Sequence, residues 1–176
     1  LLYSILGLSL LFSCSNDDDG TTTQEPLGDY ENGIIVSAEG GPASVSYISN
    51  DFSTSENQIY FNVNEENLGV YLQSIGFNND KAYIIQDSGT ITVVNRYTFE
   101  VISTITTGLT TPRYIAFNGA TAYVSDWADP FTSTDDYVAV LDLNSYTVTS
   151  TVAVSEGPEQ VLVLSLIHIS EPTRPY

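Results

Sequence analysis

The chain has 176 residues, enough for one ordinary domain with a sizeable core. Its 22 acidic side chains against 4 basic ones give a net charge of −18. That balance excludes sequence-independent nucleic-acid binding and docking on anionic lipid through a polybasic face, since both run on Lys and Arg.

The chain opens on an apolar run, Leu1 to Phe12, too short to span a bilayer as a helix but of the length of a signal-peptide core. Leu11-Phe12-Ser13-Cys14 resembles a bacterial lipobox, with Phe12 bulkier than the commonest residue at that place. Residues 1–13 are therefore expected to be a lipoprotein signal peptide, N-terminally incomplete because the sequence holds no methionine. Cys14, the one cysteine, is the expected lipidation site, since a thiolate is the nucleophile that takes the diacylglyceryl group. Several acyl chains would then anchor the protein without a transmembrane helix. Residues 14–31, with Asp17-Asp18-Asp19-Gly20 near their start, are expected to be an acidic flexible tether that lacks the apolar surface to fold.

From Gly33 onward the chain reads as short strands between turn residues. Ile34–Val36, Ser44–Ile48 and Gln58–Val63 are expected to form a first blade lacking its innermost strand. Next come Leu72–Phe77, Ala82–Gln86, Thr90–Asn95 and Val101–Thr106, then Tyr114–Phe117, Ala122–Ser125, Val138–Leu143 and Thr147–Val154. The last of these places Val148, Val152 and Val154 on one face and Thr147, Thr149 and Thr151 on the other, the period of two of a strand. Asn78-Asn79-Asp80 and Asn118-Gly119 mark hairpin turns that need left-handed backbone.

The second and third groups repeat each other. Ser74-Ile75-Gly76-Phe77-Asn78 returns 40 positions later as Tyr114-Ile115-Ala116-Phe117-Asn118, and Ala82-Tyr83-Ile84 as Ala122-Tyr123-Val124. After an insertion the echo resumes 47 positions on, with Ile91–Asn95 matched by Val138–Asp142 and Val101–Ile105 by Val148–Val152. Pro158-Glu159-Gln160-Val161 then restates Pro112-Arg113-Tyr114-Ile115. A period of roughly 40–45 residues made of short strands marks a β-propeller, one four-stranded blade per repeat. The expected fold is all-β: a partial propeller over residues 32–164, about three four-stranded antiparallel blades of a ring of about seven. Residues 165–176 break the pattern, holding the one histidine, His168, and two of seven prolines, and are expected to be a non-native tail.

Pro112, Ile115, Ala116, Phe117, Ala122-Tyr123-Val124, Val138, Val140, Asp142, Val148, Thr151 and Pro158 resemble the repeat of the YVTN family of propellers. More narrowly, Gly33 to Val163 looks like the surface-lipoprotein propellers of Bacteroidetes, many known only as domains of unknown function. Asp126-Trp127 and Asn32-Gly33-Ile34-Ile35-Val36 fit that group, while Ser37-Ala38-Glu39-Gly40-Gly41 departs from its usual entry. The acidic run after Cys14 resembles the surface-export signal of the same lipoproteins. The resemblance implies a lipid-anchored protein on the outer face of the outer membrane. It also implies a small-molecule ligand and a TonB-dependent receptor as partner; one role within the group is capture of corrinoids for such a transporter.

The residues themselves offer no catalytic constellation. With His168 set aside and Cys14 acylated, no Ser-His-Asp triad, zinc site or phosphate loop assembles. No cofactor, no metal and no enzymatic activity are expected. The best binding candidate is the long loop Asp126-Trp127-Ala128-Asp129-Pro130-Phe131, which a propeller would place on the same face as Arg113 and Tyr114. Arg113, Tyr114, Asp126 and Trp127 are the candidate ligand-binding residues; the structural alternative has Trp127 packing between blades and Asp126 capping a turn. Asp129, Asp135 and Asp136 supply oxygen ligands of the kind Ca²⁺ takes, but their spacing is unspecific and an acidic solvated loop is the preferred account of them. The expected function is a ligand-binding module. A lactonase-like propeller enzyme and a structural or adhesive surface protein are the alternatives.

Overall fold

The computed structural model describes residues 25–164. The expected signal peptide, Cys14, the Asp17-Asp18-Asp19 run and the expected tail at 165–176 lie outside the described residues.

Three antiparallel sheets follow one another along the chain. The first holds β1 (Gly33–Ala38), β2 (Ser44–Ser49) and the short β3 (Ser55–Glu56). After the helix α1 (Ile59–Asn64), the second holds β4 (Leu72–Asn78), β5 (Lys81–Gln86), β6 (Thr90–Asn95) and β7 (Val101–Ile105). The third holds β8 (Pro112–Asn118), β9 (Thr121–Asp126), β10 (Tyr137–Asp142) and β11 (Thr147–Ala153). Each four-stranded sheet is a meander whose strands pair with their sequence neighbours, the topology of a propeller blade. The fold is a partial β-propeller. Its hairpins turn through the expected residues, with Asn79 at φ 53° and Gly119 at φ 60°.

One element differs from expectation. Gln58–Val63 is not a strand; Ile59–Asn64 is a helix. Ile59, Phe61 and Val63 alternate at period two, which reads as a strand. The side chains that go inside are instead Ile59 and Tyr60, with Val63 packed beside them, and Phe61 stays exposed. That is the i, i+1, i+4 stripe of one helical turn. Glu65, in left-handed backbone at φ 57°, closes it by donating its N–H to the carbonyl of Phe61.

Packing starts ahead of residue 32. Tyr30 donates its N–H to the carbonyl of Tyr97 at 2.9 Å, and its ring meets Tyr47 and Phe99 edge-on at 5.3 and 5.4 Å. Such aromatic pairs are worth about 0.5–1.5 kcal/mol each beyond area burial.

The core lies between sheets rather than within them. Val45, Ile59, Leu72, Ile84, Val94 and Phe99 fill the seam between the first and second blades. Tyr83, Ile85, Ile91, Val93, Val124 and Leu141 fill the seam between the second and third. The second blade is therefore covered on both faces: in β6, Ile91, Thr92, Val93 and Val94 are all buried. In β10 of the third blade only Ala139 and Leu141 are, and Val138 and Val140 on the opposite face are half-buried. The seam between the second and third blades tolerates no Cβ at Gly76, which would run into Ile115 and Phe117.

The repeat extends to irregularities. Gln73 is an extra residue of β4 against β5, and Arg113 with Tyr114 opposes Ser125 alone between β8 and β9. On the outer strands, Ile102 and Thr149 are extra in the same way. Each pair of bulges sits at the repeat distance, so the blades bend alike and re-aim the bulged side chains alike.

Candidate functional site

The bulge in β8 sets the site. Because two residues stand where one should, Tyr114 donates its N–H to Ser125 Oγ at 3.1 Å rather than to a ladder carbonyl. The Arg113 side chain thereby reaches the face where the second and third strands of the blade are joined. There its guanidinium lies over the Trp127 ring, 4.0 Å from the centroid. This is a cation–π stack, worth about 0.5–2 kcal/mol according to exposure. The same guanidinium forms an ion pair with Glu159 at 3.2 Å, and its buried Nε meets no acceptor among the described residues.

Trp127 owes its place to a hydrogen bond that both blades share. Its N–H donates to the carbonyl of Thr111 at 3.1 Å, as the N–H of Asp87 donates to that of Tyr71 at 3.3 Å. The ring is half-buried, and its Nε1 donates to the carbonyl of Pro158 at 3.1 Å. Beside it opens a cleft of 160 Å³ lined by Trp127, Pro130, Thr132, Asp136, Glu156 and Gly157.

Asp126 stands next to this arrangement but faces inward. It is fully buried, and its carboxylate accepts from the N–H groups of Thr110, Thr111 and Ala128 at 2.9, 2.8 and 2.8 Å. Three backbone donors compensate the buried charge, and its burial keeps it from a ligand. Gln86 occupies the corresponding strand end one repeat earlier, accepting from Gly69 N–H and donating to Thr92 Oγ1. Of the four candidate residues, Arg113 and Trp127 are in direct contact. Tyr114 joins through its backbone, and Asp126 holds the inter-blade link.

The insertion's carboxylates are likewise engaged. Asp129 accepts from the N–H of Phe131 and the hydroxyl of Thr132, Asp135 from the N–H of Asp129, and Asp136 from the N–H of Gly157 at 2.6 Å. Among the described residues no three His, Cys, Asp or Glu side chains gather as a metal-binding group. Asp87, on the same face, has its carboxyl raised above the ordinary 3.8 by burial and then by the charge of Glu39, with Arg113 pulling the other way.

Sequence reasoning missed Ser125, Pro158 and Glu159. Ser125 Oγ donates to the carbonyl of Glu159 at 2.6 Å, just as Ser74 Oγ donates to the carbonyl of Arg113 at 2.6 Å. Arg113 and Glu159 are repeat equivalents, each following the proline that opens its unit. Opposite charges at equivalent positions of successive units were the signal available.

These features define the class: a propeller segment with an arginine–tryptophan stack on its loop face. The chain belongs to the family described as a domain of unknown function, DUF5074, whose model matches residues 32–165. No curated protein matches it. It is similar in fold to hydrazine synthase from Kuenenia stuttgartiensis, at TM-score 0.56 and 16% identity, over 71% of this chain and 35% of that one. It is also similar to apo AztD from Citrobacter koseri, at TM-score 0.51 and 18% identity, over 78% of this chain and 39% of that one. The chain thus spans well under half the length of either solved propeller.

Proposed function

We propose that this chain is the propeller of a lipid-anchored surface protein of the Bacteroidetes type, acylated at Cys14, that captures a small molecule on its loop face. In this reading a corrinoid-like nutrient docks at Arg113 and Trp127 and passes to a TonB-dependent transporter of the outer membrane. The observation that carries the reading is the Arg113–Trp127 stack beside the 160 Å³ cleft. A flat aromatic–guanidinium surface next to a polar recess suits a large ring system bearing amide groups. Among the described residues no helix is long and apolar enough to cross a membrane, and the lipid on Cys14 supplies the attachment in this reading.

Trp127 is the only tryptophan, so its emission reports on the site directly. Titration with cyanocobalamin, checked by calorimetry, is expected to show saturable binding that Trp127→Ala abolishes. In cells of a related bacterium fed labelled fatty acid, Cys14→Ala is expected to lose the label. Unsaturable quenching without heat, or equal labelling of both proteins, would remove the corresponding half of the proposal.

A further inference from the structure

Four basic residues occur in the chain, and the described ones are Lys81, Arg96 and Arg113. Lys81 pairs with Asp80 and Arg113 with Glu159; no ion pair among the described residues involves Arg96. In a protein so rich in carboxylates, a guanidinium with no ion pair among the described residues asks for a reason. Arg96 follows β6, at the end of the strands opposite to Trp127, where its N–H is held by the carbonyl of Asp80 at 3.0 Å. Its guanidinium lies 4.9 Å from the centroid of Tyr97 and 5.8 Å from that of Phe77. Two rings flank the group, and among the described residues its N–H groups have no hydrogen-bond partner, so they are open to read a carboxylate through paired hydrogen bonds.

Arg96 lines a cavity of 290 Å³ at the seam of the first two blades, together with Tyr30, Glu31, Gly33, Ile35 and Phe77. Glu31 accepts the N–H of Leu27 at one oxygen, Oε2, at 3.0 Å, and forms no ion pair within 4.0 Å among the described residues. One cavity therefore presents a cation and an anion not paired with each other, with Phe77, Ile35, Tyr30 and Gly33 forming the rest of its wall. Pairing with each other would be the default for such charges at close range. Held apart, they complement a ligand that carries both signs.

We propose that this cavity binds a zwitterionic α-amino acid with an apolar or aromatic side chain. Arg96 takes the carboxylate, Glu31 the ammonium, and the apolar wall the side chain. A zwitterion has no net charge, so the field of a −18 chain does not repel it as it would a simple carboxylate. The volume stands at the lower end of small-molecule pockets, in keeping with a ligand of this size. The site is separate from the Arg113–Trp127 face and does not depend on the function proposed there.

The test uses the whole chain and L-phenylalanine as probe, followed by calorimetry and by NMR shifts of the side-chain N–H of Arg96. Binding is expected with a Kd of about 0.1–1 mM, at least about tenfold tighter than for phenylacetate or for phenethylamine, each of which lacks one charge. Arg96→Gln and Glu31→Gln are each expected to weaken binding tenfold or more, whereas Arg113→Gln leaves it unchanged and Trp127 emission does not move. Absence of binding up to about 10 mM would overturn the proposal. So would equal affinity for either singly charged analogue, or retention of wild-type affinity by both variants. The analogue series is read on the unmodified protein and stands even if a variant fails to fold.

Discussion

A buried carboxylate in no ion pair among the described residues is the most instructive residue of this chain. Asp126 survives burial because three N–H groups converge on it, two of them from the link that enters the third blade. Asp126→Ala would leave the N–H of buried Ala128 unpaired and take the acceptor from the link at Thr110 and Thr111, which water can partly replace, at a cost of about 1–3 kcal/mol. Chemical denaturation is expected to show a lower midpoint, and unchanged stability would mean that the link finds other acceptors. Asp87, at the equivalent of Trp127, shows the opposite economy. Burial and the charge of Glu39 raise its carboxyl above 3.8. The folded chain thus holds that proton more firmly than the unfolded chain does. The resulting stabilisation is present at low pH and lost as pH rises through the raised folded value, so ionised Asp87 destabilises the fold at neutral pH. Asp87→Asn is expected to melt higher than wild type at pH 7, with the advantage fading towards about pH 3. An advantage equal at both pH values would argue that the gain comes from something other than charge.

At the scale of elements, the blades were legible because each strand repeats its neighbour in type and length. Ala82-Tyr83-Ile84 and Ala122-Tyr123-Val124 announce second strands of two blades, and β5 and β9 run through them. Bulges were not legible, since an extra residue in a strand leaves no mark in a pattern of apolar alternation. Yet it is the bulge before Ser125 that aims Arg113 at Trp127, and only the geometry reveals Ser125 as its support. The cavity around Arg96 was hidden for a different reason: Tyr30 and Ile35 stand far from Phe77 in sequence and meet it only across a seam. The helix was misread because Ile59, Phe61 and Val63 satisfy a strand as well as Ile59, Tyr60 and Val63 satisfy a helix. Tertiary burial of Tyr60 decided between them. Glu65, at φ 57°, holds left-handed backbone that costs an L-residue about 1–2 kcal/mol, partly offset for glycine by chain entropy. Glu65→Gly is expected to stabilise the protein by about 0.5–1 kcal/mol, read as a rise in melting temperature. A fall would show that the Glu65 side chain matters more than its backbone.

At the scale of the molecule, the blades differ in what covers them. The register places Val138 opposite Val152 and Val140 opposite Tyr123, so these side chains share the face of the third blade turned away from the second. Val138 and Val140 are half-buried there and Val152 is 57% exposed, whereas both faces of β6 are covered. On the first blade, Ile34 and Val36 are exposed as well. Apolar sheet faces of this kind drive association unless another blade covers them. Charge opposes it: a chain at −18 repels its copies, and the repulsion reaches about 30 Å at 0.01 M salt but only about 10 Å at 0.1 M. The chain of residues 1–176 is therefore expected to run as a monomer at low ionic strength and to associate as salt is added, the reverse of an assembly held by ion pairs. Light scattering coupled to size exclusion across that salt range measures it. Val140→Asp places a charge in the centre of the uncovered face and is expected to hold the protein monomeric throughout. Salt-independent monomers would mean that the valine face is shielded by other parts of the chain. Association that Val140→Asp leaves untouched would instead shift the contact to the first blade, around Ile34 and Val36.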